Sequence, residues 1–321
     1  MKNVLVENER FREQYFQSIK SYVENLQEKF SYSQLNTVKD IVGYPLNLLR
    51  SMPKLLLKEK CLENEKYILY RVQLESFLGI RVFGLMSEPK IKQKSNTAII
   101  FQHGGGDSPE ITFGLIEDSV YKATADYISQ KGITVFAPQL LLWNKSEYGT
   151  TFEREDRHTF DRKLKEHGGS ITALEIHVLQ TIADYLGEFE LCTQLAVSGM
   201  SYGGMYALFS TAIDKRFVAC YSSSWFNDRQ KYNWTDWTYS KFLSDYQVVA
   251  EILPRKVFIE VGKHDEMFDV DSSIKEYGKL KENNFAHHCV YNIYDGGHEI
   301  NLDRTIIDAF VNYVLEKSNF V

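Results

Sequence analysis

Ser201 stands in Leu195-Ala-Val-Ser-Gly199-Met-Ser201-Tyr-Gly203-Gly204, a G-x-S-x-G sequence with an apolar run on either side. A serine held on a sharp strand-to-helix turn is raised above a sheet with its oxygen exposed. The turn brings backbone so close that side chains two residues to either side would clash, which Gly199 and Gly203 avoid. A helix starting there aims its N-terminal amides at the point where an oxyanion forms, Tyr202 N–H first among them. An ordinary glycine-rich turn has the same look, so the chemistry depends on partners.

Three further segments supply them. Ala98-Ile-Ile-Phe-Gln102-His103-Gly104-Gly105-Gly106-Asp107 is an apolar strand running into a glycine cluster. Acyl transfer needs a second backbone N–H at the oxyanion, and this loop can give it, from Gly105 first and Gly104 second. A phosphate loop is excluded, because no Gly-Lys-Ser/Thr follows. A serine hydroxyl also needs a base. Among eight histidines, His298 in Tyr294-Asp-Gly-Gly-His298-Glu lies directly after the last strand and before the last helix. The carboxylate that orients it is expected after the preceding strand, where Val257-Phe-Ile-Glu-Val-Gly262-Lys-His-Asp265 ends in Asp265. Glu266, Asp269, Asp271 and Asp228 are the alternatives. The chain order Ser201, Asp265, His298 follows.

These residues need a sheet whose strands end on one side. The first sixty or so residues read as helices: Phe11, Tyr15, Ile19, Tyr22, Val23, Leu26 and Phe30 recur at steps of three and four. A second short helix carries Leu35, Val38, Ile41 and Val42. Residues 1–66 are read as an N-terminal helical extension and 67–321 as the catalytic domain. Tyr67–Leu74 and Ile80–Met86 look like a hairpin around Gly79. After it, strands at Thr97–Gln102, Ile133–Pro138, Leu195–Ser198, Phe217–Tyr221, Lys256–Val261 and Cys289–Tyr294 alternate with helices at Asp118–Gln130, from Ser170 to Gly187, and at Tyr202–Ile213, Ser272–Glu282 and Asp303–Glu316. Trp143–Gly169 reads as a polar loop excursion. Such alternation implies a mostly parallel, twisted sheet covered by helices on both faces.

With these motifs in place, the region from about Tyr67 to the C-terminus resembles the α/β-hydrolase superfamily, in the branch of dienelactone hydrolases, acetyl xylan esterases and prolyl-oligopeptidase-like esterases. The resemblance rests on the HGGGD loop, GMSYGG, Asp214-Lys-Arg216, the G-x-x-D strand end and GGH. It implies the α/β-hydrolase fold and ester or amide hydrolysis without metal or cofactor. Asp214 and Arg216 match a structural element of that branch. Dienelactone hydrolases proper use cysteine where this chain has Ser201.

The remaining composition is that of a soluble enzyme. The net charge of -6, from 37 basic and 43 acidic residues, lacks the concentrated basic face of a nucleic-acid binder. No apolar run reaches membrane-spanning length, and the charged start does not read as a secretory signal. Cys61, Cys192, Cys220 and Cys289 lie far apart, as in a reducing cytoplasm. A homo-oligomer is left open. His298-Glu299 begins like HExxH, but Leu302 stands where the second histidine must be, and the other histidines lack ligand spacing, so no metal site is expected. The aromatics Trp225, Phe226, Trp234 and Trp237 can wall an acyl or leaving-group pocket, or merely pack under a loop. The leading expectation is a serine esterase acting on a small or medium ester, acetylated sugars among the candidates. A serine peptidase and a non-catalytic receptor or scaffold are the rival classes.

Overall fold

The structure, a computed structural model, describes residues 2–25, 37–91, 96–117, 120–140, 154–231 and 238–317. Among them nine strands form one sheet in the order β1-β2-β3-β5-β4-β6-β7-β8-β9. β1 (Lys54–Glu63), β2 (Tyr67–Glu75) and β3 (Arg81–Pro89) form an antiparallel meander that joins β5 (Thr134–Pro138). From there β4 (Thr97–Gln102), β6 (Gln194–Met200), β7 (Phe217–Ser223), β8 (Lys256–Gly262) and β9 (Cys289–Tyr294) run parallel. β4 shows why: all six residues are buried, with Ala98 and Ile100 in one apolar layer and Ile99 and Phe101 in the other. A strand apolar on both faces is stable only between two layers of helix.

One face carries α3 (Pro109–Thr112), α4 (Thr124–Ser129) and α10 (Thr305–Lys317). The other carries α1 (Lys2–Glu24), α2 (Val38–Val42), α5 (Arg154–Glu166), α6 (Ile171–Glu188), α7 (Tyr202–Ile213), α8 (Asp245–Ile252) and α9 (Val270–Glu282). Ser170 caps α6 by accepting from Ala173 N–H at 3.1 Å, and it donates to Val42 O at 2.6 Å. α6 is buried along most of its length, polar side chains such as Glu175, His177 and Asp184 included. Arg216 clasps Asp214 through Nε (3.0 Å) and Nη2 (2.7 Å) and reaches Asp184 at 2.5 Å, tying the end of α7 to α6.

Three expectations are corrected. Residues 54–63, assigned to the helical extension, form β1, so the sheet starts before Tyr67. The charged stretch Lys54–Glu63 lacks alternation because it is an edge strand paired on one side only. The expected excursion Trp143–Gly169 contains α5. Its inward stripe is Arg157, Phe160, Asp161 and Leu164, and two of these four are charged, which conceals the helical period. α8 has no counterpart in the sequence reading, although Ser244-Asp-Tyr-Gln247 is a capping-box sequence and Gln247 Oε1 accepts from Ser244 N–H at 3.0 Å. Leu26, Phe30, Leu35, Asp118, Trp143, Trp234 and Trp237 lie outside the described residues.

His177 on α6 is buried, meets Phe77 edge to face at 5.1 Å, and its Nε2 has no hydrogen-bond partner among the described residues. Burial, with Arg50 adding repulsion, pushes its pKa down to about 3. The unfolded ring titrates near ~6.5, so the unfolded chain binds more protons between these values. Stability from this residue is complete above about 6.5 and is lost as pH falls toward about 3. His177→Leu is expected to shrink the drop in urea midpoint between about pH 7.5 and about pH 5.5. An unchanged drop would rule out His177 as a contributor.

Candidate functional site

The site is assembled from the carboxyl ends of four strands. β6 ends at Met200, and α7 begins at Tyr202. Ser201 between them has φ 56° and ψ −127°. A side chain at positive φ costs about 1–3 kcal/mol, a strain that clusters at functional positions. The flanking glycines show what holds the turn. A Cβ on Gly199 would stand 2.5 Å from Gly203 C, and one on Gly203 would stand 2.3 Å from Gln102 O. Ser201 N–H donates to Ser223 O at 2.9 Å, which fixes the turn to β7.

The glycine loop after β4 lies against this serine. A Cβ on Gly104 would stand 3.1 Å from Ser201 Cβ and 2.9 Å from the Tyr121 hydroxyl. The Gly104 N–H is engaged: it donates to Tyr121 Oη at 2.6 Å, and that hydroxyl donates to Asp107. Of the two glycine amides named from sequence, Gly105 N–H therefore remains available to an oxyanion, and it has no hydrogen-bond partner among the described residues. Tyr202 opens α7, so its amide sits at the positive end of that helix dipole. Tyr121 was missed because nothing in its local sequence marks it. Asp107 stood in the quoted HGGGD loop without a role.

His298 and Asp265 come together from neighbouring strands. Nδ1 of His298 lies 2.8 Å from Asp265 Oδ2. The other carboxylate oxygen of Asp265 accepts from Met267 N–H (2.8 Å) and Phe268 N–H (2.9 Å), which locks the side chain in place. The Asp265 side chain is 2% exposed and that of His298 19%, so the carboxylate is enclosed while the imidazole is partly open to solvent. The loops meet because Gly262 lacks a side chain: a Cβ there would stand 2.1 Å from Gly297 O. Two of the four rival carboxylates are engaged elsewhere. Asp228 pairs with Lys275 Nζ at 2.7 Å, and Asp269 caps α9 and pairs with Lys231.

Trp225 and Phe226 are fully buried. The Trp225 ring lies 5.4 Å from Tyr202 and 5.2 Å from Phe268, whose ring is in turn 5.5 Å from His298. They belong to the core beneath the site, whereas the sequence left open whether they wall a pocket or pack. Trp234 and Trp237, the other pocket candidates, fall outside the described residues.

No protein-family model matches the sequence, and no sequence among the curated proteins does. Solved structures match the fold. A cold-adapted esterase from an Arctic intertidal metagenomic library is 18% identical, with 79% of this chain and 96% of that chain covered and a TM-score of 0.56. Acetyl xylan esterase 1 from Thermoanaerobacterium sp. JW/SL YS485 is 16% identical, with 96% and 93% covered and a TM-score of 0.57. A glucuronoyl esterase from Solibacter usitatus is 13% identical, with 94% and 91% covered and a TM-score of 0.59. This chain has the α/β-hydrolase fold. In open α/β sheets ligands bind outside the carboxyl ends of the parallel strands, and Ser201, Gly105, Asp265 and His298 all follow such strand ends.

Replacing Asp265 by Asn keeps the shape but presents an amide to Nδ1. Asp265→Asn is expected to lower kcat by about 10⁴, while Asp269→Asn stays within about threefold, as expected away from the chemistry. Steady-state hydrolysis of a nitrophenyl ester measures both. A crippled Asp269 variant beside a near-normal Asp265 variant would overturn the assignment.

Proposed function

We propose that this chain is a serine hydrolase: a carboxylesterase that cleaves small or medium acyl esters through an acyl-enzyme on Ser201. The observation that carries the reading is the strained backbone of Ser201 at the β6–α7 turn, with a glycine loop against one side of it. The pairing of His298 with Asp265 supports it. In this reading Ser201 Oγ attacks the ester carbonyl while His298 Nε2 takes its proton. Asp265 holds the Nδ1–H and stabilises the imidazolium. The tetrahedral oxyanion is met by the amides of Gly105 and Tyr202. The imidazolium protonates the leaving alkoxide, and an alcohol departs. Water then gives a proton to the same imidazole as it attacks the acyl-enzyme, and the imidazolium returns that proton to Ser201 Oγ as the acyl–oxygen bond breaks and the acid leaves. The cycle uses no metal or cofactor.

The acetyl xylan esterase among the similar structures supports acetylated sugars as one substrate class. Substrate size follows from packing. Trp225 and Phe226 fill the space beneath the site, and Phe268 stands against the His298 ring. Each methylene that fits contributes about 0.8 kcal/mol. One that does not must displace packed rings at about 1–3 kcal/mol.

A fluorophosphonate probe is expected to label the wild-type chain and not Ser201→Ala, which should fold normally and lose about 10⁴–10⁶ in kcat. Turnover by that variant within tenfold of wild type would remove Ser201 from the mechanism. Activity is expected to survive prolonged EDTA treatment, and a loss restored by zinc would contradict the metal-free cycle. Across nitrophenyl esters, kcat/KM should peak at short acyl chains. A preference for about ten carbons or more would show a deep acyl tunnel instead.

A further inference from the structure

We infer that Arg12, on the N-terminal helix, is a positioning residue for the oxyanion loop, acting through Gln139 and His103 on the Gly104–Gly105 peptide. The inference rests on the serine-esterase reading above. It gives a role to a helix that the sequence treats as an appendage.

The chain of contacts is continuous and buried. Arg12 is 3% exposed, and Gln139 and His103 are 0% exposed. Arg12 Nε donates to Gln139 Oε1 at 2.6 Å. A guanidinium can only donate, so the oxygen of the Gln139 amide must face Arg12 and its NH₂ must face the other way. That NH₂ lies 3.0 Å from Leu140 O, 3.3 Å from His103 Nε2 and 3.4 Å from Asp107 O. Leu140 N–H also donates to His103 Nε2, at 3.0 Å. A ring nitrogen that accepts an amide proton carries none of its own, so the proton of neutral His103 sits on Nδ1. Burial favours that neutral ring, lowering its pKa to about 4.

His103 Nδ1–H then donates to Gly104 O at 2.8 Å. The carbonyl of residue 104 and the amide of residue 105 belong to one planar trans peptide and point in opposite directions. Holding Gly104 O against His103 therefore turns Gly105 N–H away from the ring and leaves it to the site. The amide at the other end of Gly104 is held by Tyr121. Glycines have no side chain with which to fix their own peptides, so the orientation must come from outside the loop.

Arg12 grips the far side of the loop as well. Its Nη2 pairs with Glu110 Oε2 at 2.7 Å, and Glu110 lies in α3 just past Asp107. Asn8, one turn earlier on α1, donates to Glu110 Oε1 at 2.8 Å. Burial opposes ionisation of Glu110, yet Arg12, with donors from Ser108 and Asn8, holds its pKa below the usual carboxylate value. Arg12 Nη1 pairs with Glu9, and the guanidinium lies 6.0 Å from the centre of the Phe83 ring on β3, so the fork itself is fixed.

The test uses the full chain with three substitutions. Arg12→Lys keeps a charge beside Glu110 but replaces the planar fork with a compact ammonium. Gln139→Met removes the relay and leaves the ion pairs intact. Arg12→Met removes both functions. Folding is followed by urea denaturation, and kcat and KM are measured with nitrophenyl acetate. Losing one oxyanion donor costs about 10²–10³ in kcat, so a misaimed one is expected to cost about tenfold or more. Folded Arg12→Lys and Gln139→Met should therefore lose at least about fivefold in kcat with KM nearly unchanged, and their double variant should lose no more than the worse single one. A loss below fivefold in both folded variants, or losses that multiply, would overturn the inference. Should Arg12→Met fail to fold, the other two variants carry the test. Failure of the underlying reading looks different: the wild-type chain would then resist the fluorophosphonate probe.

Discussion

Close contact between the end of β4 and the start of α7 governs how the rest of the molecule is arranged. The positions a Cβ would take on Gly199 and Gly203 fall within 2.8 Å of atoms of Gln102, His103 or, for Gly199, Gly203. Contact this tight is open only to residues without side chains, and it leaves Ser201 the protruding group of the turn. It also requires β4 and β6 to be neighbours, and the register pairs Gln102 with Gly199. Once they are neighbours, the loop that leaves β4 must pass beside Ser201. The loop can do so because Gly104 has no Cβ to meet the serine. One contact thus sets the strand order at the centre of the sheet and the meeting of two candidate functional groups.

A second contact of the same kind brings in the remaining pair. β8 and β9 run side by side with Gly262 opposite Tyr294. The chain leaves both strands at one edge, where Gly262 admits the carbonyls of Gly296 and Gly297. His264 N–H donates to Gly296 O at 2.9 Å and Lys263 N–H to Tyr294 O at 2.9 Å, so the two loops are laced by backbone before any side chain is considered. Asp265 and His298 then meet as a consequence of strand adjacency. They lie 33 residues apart in sequence, a separation that the parallel pair and its crossover helix α9 close.

The residues that make these two contacts leave local traces in the sequence, as glycine clusters that follow apolar strands. α7 and β9 were read at their observed bounds, and Asp265 and His298 were placed at strand ends from G-x-x-D and GGH alone. What escaped is held by buried charge. α5 turns Arg157 and Asp161 inward, where Arg157 donates to Tyr206 Oη at 2.7 Å and Asp161 accepts from Ile171 N–H at 2.9 Å. Arg12 meets Glu110 across 98 residues of sequence. A hydropathy pattern assigns such side chains to solvent, because their burial depends on partners that lie elsewhere in the chain. β1 was missed for a related reason, since an edge strand receives its conformation from the strand it pairs with. Burying an unpaired charge costs so much that each such pair admits few arrangements. The segments least readable from sequence are therefore among those most narrowly fixed once folded.

Two histidines of the candidate site show how surroundings divide the work of one side chain. His103 is enclosed, its Nε2 receives an amide, and its Nδ1 is spent on a carbonyl. With both nitrogens committed and its charged form disfavoured by burial, it can exchange no proton with a substrate. It is suited to holding a peptide in one orientation. His298 has a carboxylate at Nδ1 and lies partly open to solvent, so the carboxylate favours a proton on Nδ1 and leaves Nε2 as the ring's acceptor. It is suited to receiving a proton from a hydroxyl and passing it on. Sequence spacing separated these two by position alone, one before the glycines and one after the last strand. The division of labour comes from which nitrogen each neighbour occupies. For His103 that neighbour is a backbone amide kept company by Gln139, whose own orientation is set from the N-terminal helix.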